Sequence, residues 1–313
     1  MKTVAIVNPT AGYRRARRLW PRLLASLGEP GANVATWWTE WPGHAETLAA
    51  RARREGFDRV VAVGGDGTLL EVVNGLWWEL QGPLPSVGVV PFGTGCDYVR
   101  SFDLGQTLRD KVMSALGQAT LTVSLGLVRL QGFDGQPRVR VFINVLGLGF
   151  DARVINCFRQ QRLRLPGKTA YFLSGIQELA RLTHHRITGS LDGRRLKTDA
   201  MLVAIGLGRY FGGGLMITPG ASPTAGHFHV VLAQKLTRLE LLTIFPSLYA
   251  GKHLDHPRIQ AANASHITIH ADPPADVEAE GELEGTTPLE VTIIPQALRI
   301  AAPSLAASLL LRL

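Results

Sequence analysis

Short apolar runs alternate with stretches of helical periodicity along the first third of the chain. The order is Thr3 to Val7, Arg14 to Leu27, Asn33 to Trp38, Ala45 to Arg54, Arg59 to Val63, Leu69 to Leu80 and Ser86 to Val90. Continuous apolar strands separated by amphipathic helices predict a parallel sheet covered on both faces. Ligands in such sheets bind at the carboxyl ends of the strands. Three loops rich in small residues follow predicted strands and so share that edge: Asn8 to Gly12, Gly64 to Thr68, and Pro91 to Asp97.

From about Leu121 the pattern changes. Strand-like stretches at Leu121 to Leu130 and Arg138 to Leu146 precede a basic helical region from Asp151 to Thr183, and further strands are expected at Arg186 to Leu191, Lys197 to Ile205 and His227 to Leu232. A helical stretch, Thr237 to Tyr249, is followed by strands at His266 to His270 and Leu289 to Ile294. This texture predicts an antiparallel β domain with inserted helices. The expected fold class is therefore α/β, a three-layer N-terminal domain with a parallel sheet followed by an antiparallel β-sandwich domain. We expect the nucleotide-binding α/β domain over 1–123, the β-sandwich domain over 124–294, and a segment 295–313 returning to the first domain.

The chain has 313 residues, room for about two domains. Thirty-three Lys and Arg against twenty-five Asp and Glu give a net charge of +8, which favours an anionic partner: a nucleotide, a nucleic acid or an acidic membrane surface. Nucleic acid is disfavoured because no binding module or aromatic stacking series accompanies the charge. Cys96 and Cys157 are the only cysteines, which excludes a disulfide framework or a Cys-rich zinc site and fits a reducing interior. No apolar run approaches the roughly 20 residues of a membrane-spanning helix. The expected location is cytoplasmic, with peripheral membrane association.

The chemistry concentrates in Gly64-Gly65-Asp66-Gly67-Thr68, where a strand gives way to a helix. Glycines let the backbone turn tightly and approach a ligand, and a helix N-terminus favours a phosphate. Thr68 and Glu71 have the spacing of a helix capping box. Asp66 would repel bound phosphates unless a cation intervenes or the carboxylate has a chemical task, a combination that suggests magnesium and phosphoryl transfer. Gly147-x-Gly149-x-x-Ala152 imitates a dinucleotide fingerprint but lacks the βαβ setting, and Gly167-Lys168-Thr169 lacks the upstream glycine of a Walker A loop. The pairs His227/His229 and His253/His256 lack partners that would complete a zinc site. Cys96 reads as a small packed residue rather than a low-pKa thiol.

Residues 64 to 75, Gly-Gly-Asp-Gly-Thr-Leu-Leu-Glu-Val-Val-Asn-Gly, resemble the signature of the diacylglycerol kinase catalytic domain family, which includes bacterial soluble lipid kinases and sphingosine kinases. The resemblance extends to Asn8-Pro9 through Gly12, Thr39 with Gly43-His44-Ala45, the Pro91 to Asp97 loop, Phe142-Ile143-Asn144, Gly149-Phe150-Asp151-Ala152, and Glu280-Gly281-Glu282. It implies an ATP-dependent lipid kinase, with diacylglycerol as default acceptor. It also implies that Asn8, Pro9, Thr39, Gly64, Gly65, Gly67, Thr68, Thr94, Gly95 and Asp97 hold ATP. Asp66 would organise Mg2+ or act on the substrate hydroxyl, and Glu282 would accept its proton. Without the resemblance, the alternation Asp276, Glu278, Glu280, Glu282, Glu284 reads as a solvated acidic turn.

Cys96, Ser124, Glu280, Ala225 and Leu207 depart from the pattern, standing where the family has Asn, Asp, Asp, Asp and frequently Asn. Those departures keep a non-catalytic lipid- or nucleotide-binding relative open as an alternative, and a soluble-substrate kinase of the NAD kinase kind as a second. Basic clusters at Arg14, Arg15, Arg17, Arg18 and Arg22, and at Arg159, Arg162, Arg164 and Lys168, read as solvated faces. The second, beside Leu163, Leu165, Tyr171 and Phe172, is the expected membrane-facing element. A homodimer is an open partner.

Overall fold

The computed structural model describes residues 1–79, 81–93, 95–160 and 183–306. Two compact units emerge, one of Met1–Ser124 with the residues from Gln296 onward, the other of Leu125–Pro295.

The first unit begins with β1 (Thr3–Val7), α1 (Ala11–Ser26), the short α2 (Glu29–Ala32), β2 (Val34–Trp38) and α3 (His44–Arg54). It continues with β3 (Arg59–Gly64), α4 (Asp66–Trp78), β4 (Ser86–Pro91), β5 (Phe102–Asp103) and α5 (Leu108–Leu116). β1 pairs in parallel with β2 and β3, and β3 in parallel with β4. The strands are apolar on both faces because both are covered: Val7, Val61, Val63 and Val90 share a core with Ala16 and Trp20 of α1 and Val112 and Ala115 of α5. Trp20 also donates its indole N–H to Thr36 Oγ1 at 3.2 Å, so the ring's one polar atom is satisfied. Late in the chain, Ile300 pairs with Val87 of β4, and Ala301 N donates to Val87 O at 2.8 Å.

The second unit is antiparallel. It contains β6 (Leu121–Gln131, which starts in the first unit), β7 (Pro137–Phe142), β8 (Val145–Gly149), α6 (Phe150–Gln160), β9 (His185–Leu191), β10 (Arg194–Gly206), β11 (Tyr210–Phe211) and β12 (Leu215–Met216). Then come β13 (Phe228–Gln234), α7 (Arg238–Leu248), β14 (Ile259–Ala264), β15 (His266–Asp272), β16 (Asp276–Ala279) and β17 (Glu282–Ile300), with β18 (Ser304–Leu305) back in the first unit. Two routes of pairing join β10 to β17, one through β8 and β16 and the other through β9 and β15. The long β10 and β17 therefore serve both faces of a sandwich, and a register shift between Ala200 and Leu202 marks where β10 changes partners. The stretch Arg138 to Leu146, expected as one strand, is two: the chain turns at Ile143-Asn144, whose amides bond the Glu280 side chain rather than a neighbouring strand.

Thr94, the segment 161–182 with Arg162, Leu163, Arg164, Leu165, Lys168, Tyr171 and Phe172, and residues 307–313 lie outside the described residues. Among the described residues no helix is long and apolar enough to cross a membrane.

Candidate active site

In the first unit, adjacent strand ends bring the expected residues together. Thr39 N donates to Val7 O at 2.9 Å and Asn8 N to Val63 O at 3.0 Å, so the loops after β1, β2 and β3 leave the sheet side by side. Asn8 Oδ1 accepts from Thr10 N at 3.0 Å and Thr10 Oγ1 at 2.7 Å, and Asn8 Nδ2 approaches Thr68 Oγ1 at 3.4 Å. Phe92 N and Gly93 N both donate to Gly64 O, at 2.8 and 3.1 Å. That pairing presses the second and third loops together: a Cβ on Gly93 would stand 2.6 Å from Gly65 Cα, closer than any side chain tolerates.

The capping box expected between Thr68 and Glu71 does not form. α4 starts earlier, at Asp66, because the extended Gly65 delivers the chain directly into the helix, and no side chain caps its N-terminus. Thr68 is consequently a buried residue of the first turn, and the first-turn amides of Asp66, Gly67 and Thr68 lack intrahelical acceptors by helix geometry. These amides and the helix dipole make an anion site. Glu71 instead reaches α3, accepting from Gly43 N at 2.9 Å and Ala45 N at 3.0 Å. It anchors the loop that follows Thr39, a positioning role that its local spacing conceals.

Asp66 does not stand free. Its carboxylate accepts from Asp97 N at 2.9 Å and Tyr98 N at 3.3 Å, tying the third loop to the first turn of α4. Burial pushes its pKa up to about 6, against the pull of the Asp97 amide. Asp97, buried, accepts from Arg100 Nε at 3.1 Å. The Oδ2 atoms of Asp66 and Asp97 converge on one side of Gly95, 3.5 and 3.4 Å from where its Cβ would lie. Two carboxylates fit the one or two that a magnesium ion takes from protein while phosphates and waters supply the rest. Among the described residues no group of three or more His, Cys, Asp or Glu forms a self-sufficient metal site.

Cys96 occupies a left-handed position with φ 48°, a conformation in which asparagine is enriched. Its Sγ lies 3.3 Å from Gly93 O, and burial pushes the thiol up to about 12, so it packs as an unreactive thiol.

In the second unit the acidic alternation is a turn that is solvated only in part. Glu278 and Glu284 are buried, Glu284 pairing with Arg138 at 3.0 Å and Arg140 at 3.5 Å, while Glu282 is exposed. The reason is a two-residue hairpin: Ala279 pairs with Glu282 across Glu280 and Gly281, both left-handed at φ 54° and 83°. Such a turn favours Asn-Gly or Asp-Gly, so Glu280 carries some backbone strain. Its carboxylate offsets this by accepting from Ile143 N at 3.0 Å and Asn144 N at 2.6 Å. Glu278 Oε2 accepts from Gly281 N at 2.8 Å and holds the same turn from the opposite strand position.

A side chain on Gly147 would run into both Asp151 Oδ2 and Glu278 Oε1, which places these two buried carboxyls together. Burial raises Asp151 to about 7, and burial followed by the proximity of Asp151 raises Glu278 well above the usual range. Unfolded, both groups ionise near their ordinary values, so between about pH 4 and 7 the native state holds more protons and stability falls as pH rises. Glu278→Gln, which keeps the hydrogen bond to Gly281, is expected to melt above wild type at pH 8 by several degrees, on the order of 1–3 kcal/mol at ~2–4 °C each. The difference should narrow towards pH 5. A gap that stays constant over that range in thermal melts would show that the two carboxyls share no proton.

Asp151 also lines an apolar cavity of about 310 Å³, walled by Phe150, Met201, Phe211, Leu241 and Phe245 among others. Among the described residues of that wall Asp151 and His253 alone are ionisable, and Asp151 Oδ2 has no hydrogen-bond partner among them. His253 is committed to Ile217 O through Nε2 at 3.1 Å. Sequence reading missed the cavity, because its lining comes from separate segments between Phe150 and Ile259 with no local signature.

A helix start with first-turn amides beside paired carboxylates, and a separate antiparallel β unit, recur together in a class of kinases to which the chain is similar. Residues 2–128 match the Diacylglycerol kinase catalytic domain and residues 144–302 the YegS C-terminal NAD kinase beta sandwich-like domain. The chain is 31% identical over 305 residues to the diacylglycerol kinase of Mycobacterium tuberculosis (strain ATCC 25618 / H37Rv), covering 96% of this chain and 95% of that protein. It is 28% identical over 299 residues to that of Staphylococcus haemolyticus (strain JCSC1435), covering 95% and 87%. Its fold resembles the crystal structure of a diacylglycerol kinase from Bacillus anthracis str. Sterne, with TM-score 0.70, 18% identity and coverage of 96% of each chain. Yeast NADH kinase complexed with NADH shares the fold more distantly, with TM-score 0.52, 14% identity and coverage of 96% and 82%. The chain belongs to the diacylglycerol kinase family, and at family level it is a lipid kinase.

Proposed function

We propose that this protein transfers the γ-phosphate of ATP to a lipid hydroxyl, with diacylglycerol the default acceptor, in the cytoplasm at a membrane surface. The observation that carries the reading is the apolar cavity of the second unit, whose wall carries two ionisable side chains among the described residues, His253 and Asp151, the latter beside Glu278 and so beside the hairpin that bears Glu282. A soluble dinucleotide would need a polar wall.

The nucleotide phosphates meet the amides of Gly67 and Thr68 in the first turn of α4, with Asn8, Pro9, Thr39, Gly64, Gly65, Thr94, Gly95 and Asp97 completing the nucleotide site. Asp66 and Asp97 would hold a magnesium ion, which when bound neutralises charge on the phosphates. Glu282, exposed at the head of β17, takes the proton from the acceptor hydroxyl as its oxygen bonds the γ-phosphorus and the bond to the bridging oxygen of ADP breaks. Glu280 and Glu278 position that hairpin without touching the reacting atoms.

The test is incubation with labelled ATP, magnesium and a panel of diacylglycerols, other lipid alcohols and NAD. Label in a lipid phosphate supports the reading. Label in NAD phosphate replaces it with the soluble-substrate kinase, and ATP binding without any transfer replaces it with the non-catalytic relative that the Cys96, Ser124 and Ala225 departures suggest.

A further inference from the structure

The helix that walls the cavity also exposes apolar side chains at the cavity's rim. α7 is fixed at its start by a capping box, Thr237 Oγ1 accepting from Glu240 N at 3.3 Å and Glu240 Oε2 accepting from Thr237 N at 2.7 Å. Only Ile244 of this helix is buried, while Leu241, Leu242, Phe245, Pro246 and Leu248 line the cavity. Leu239, Leu242 and Tyr249 are 72%, 54% and 58% exposed. With the exposed Pro246 they follow the spacing i, i+3, i+7, i+10, a stripe of the helix surface that runs along the rim of the cavity, since Leu242 and Pro246 also line it. A surface helix ordinarily turns polar residues to water on that face, and single exposed leucines scatter rather than align.

Charge says what covers the stripe. Lys235 and Arg238 stand exposed at its start and Lys252 at its end. The helix's one acidic side chain, Glu240, is engaged by Thr237 and by Arg258 at 3.2 Å, and exposed Asp255 is the other nearby acid. An apolar stripe with an aromatic at one end and cations at both ends suits the interface of an anionic bilayer. A second copy of the chain suits it less, because four side chains fall short of the roughly 800 Å² per partner of a stable dimer.

We propose that α7 docks on an anionic lipid surface through Leu239, Leu242 and Tyr249, bringing the wall of the acceptor cavity against the membrane. The inference rests on the lipid-acceptor reading for its purpose, yet its test does not need turnover. Full-length protein is sedimented with vesicles of phosphatidylcholine alone or mixed with phosphatidylglycerol. Wild type should sediment with the mixed vesicles. Leu239→Asp should weaken that partition by roughly tenfold or more, and Lys235→Glu with Lys252→Glu should remove the dependence on phosphatidylglycerol. All three sites are exposed, so melting temperatures should stay at the wild-type value, and turnover of a short-chain acceptor dispersed in detergent should be unchanged in Leu239→Asp. Wild-type partition by Leu239→Asp would overturn the proposal, as would a wild-type dimer in light scattering that the substitution makes monomeric. Loss of vesicle binding together with absence of transfer to any lipid would leave docking standing and remove the lipid-acceptor reading alone.

Discussion

Replacing Glu282 by glutamine is expected to lower phosphoryl transfer to lipid by about 10²–10⁴-fold, the range that a positioned general base contributes, with ATP binding kept. Glu282 is exposed, and its place in the hairpin is set by backbone pairing with Ala279 and by the left-handed pair Glu280-Gly281, none of which needs its carboxylate. The measurement is single-turnover transfer from labelled ATP beside a nucleotide-binding titration and a thermal melt. Loss of transfer with unchanged nucleotide affinity and melting assigns Glu282 to the acceptor proton. Transfer at the wild-type rate would remove that assignment while leaving the kinase itself intact. Proton acceptance by some other group would then have to be sought in the same hairpin, where Glu278 and Glu280 each commit one oxygen to the amides of Gly281, Ile143 and Asn144.

That hairpin shows where sequence reading reached and where it stopped. The three loops of the first unit were legible because each follows a short apolar strand, and a period-2 or continuous run is a strong local signal. Glu71 was not, since its spacing to Thr68 fits a local cap as well as the contact to α3 that the structure holds. The acidic alternation misled for a related reason. Period 2 places alternate residues on one strand face, but it cannot say whether arginines from another strand, here Arg138 and Arg140, wait there to bury the charge. Elements were missed where local composition is poor in strand formers: β14, Ile-Gln-Ala-Ala-Asn-Ala, is held by pairing with β13. α5 carried a signal that could have found it, the Thr107 to Asp110 capping box, which forms. The cavity had no such signal, because nothing short of the folded sandwich brings Phe150, Met201 and Leu248 together.

Asp66→Ala is expected to reduce transfer by about 100-fold or more, and the companion Asp66→Asn decides why. The carboxylate does two things that alanine removes together: it accepts the Asp97 and Tyr98 amides, and it offers negative charge beside Asp97 where a magnesium ion would sit. Asparagine keeps one acceptor oxygen and the shape but not the charge. Stability alone discriminates poorly, since losing two amide bonds and relieving a buried carboxylate act in opposite directions. Magnesium dependence discriminates well. If Asp66 holds the ion, Asp66→Asn should need several-fold more magnesium for half-maximal transfer. Wild-type transfer should also decline as pH is lowered through about 6, because burial holds the Asp66 pKa there and the protonated acid is a poor ligand. If Asp66 only clamps the third loop, Asp66→Asn should keep the wild-type magnesium requirement, and its loss should track nucleotide affinity. That second pattern would reassign the carboxylate from the metal to the architecture of the loop and leave Asp97 as the residue to test next.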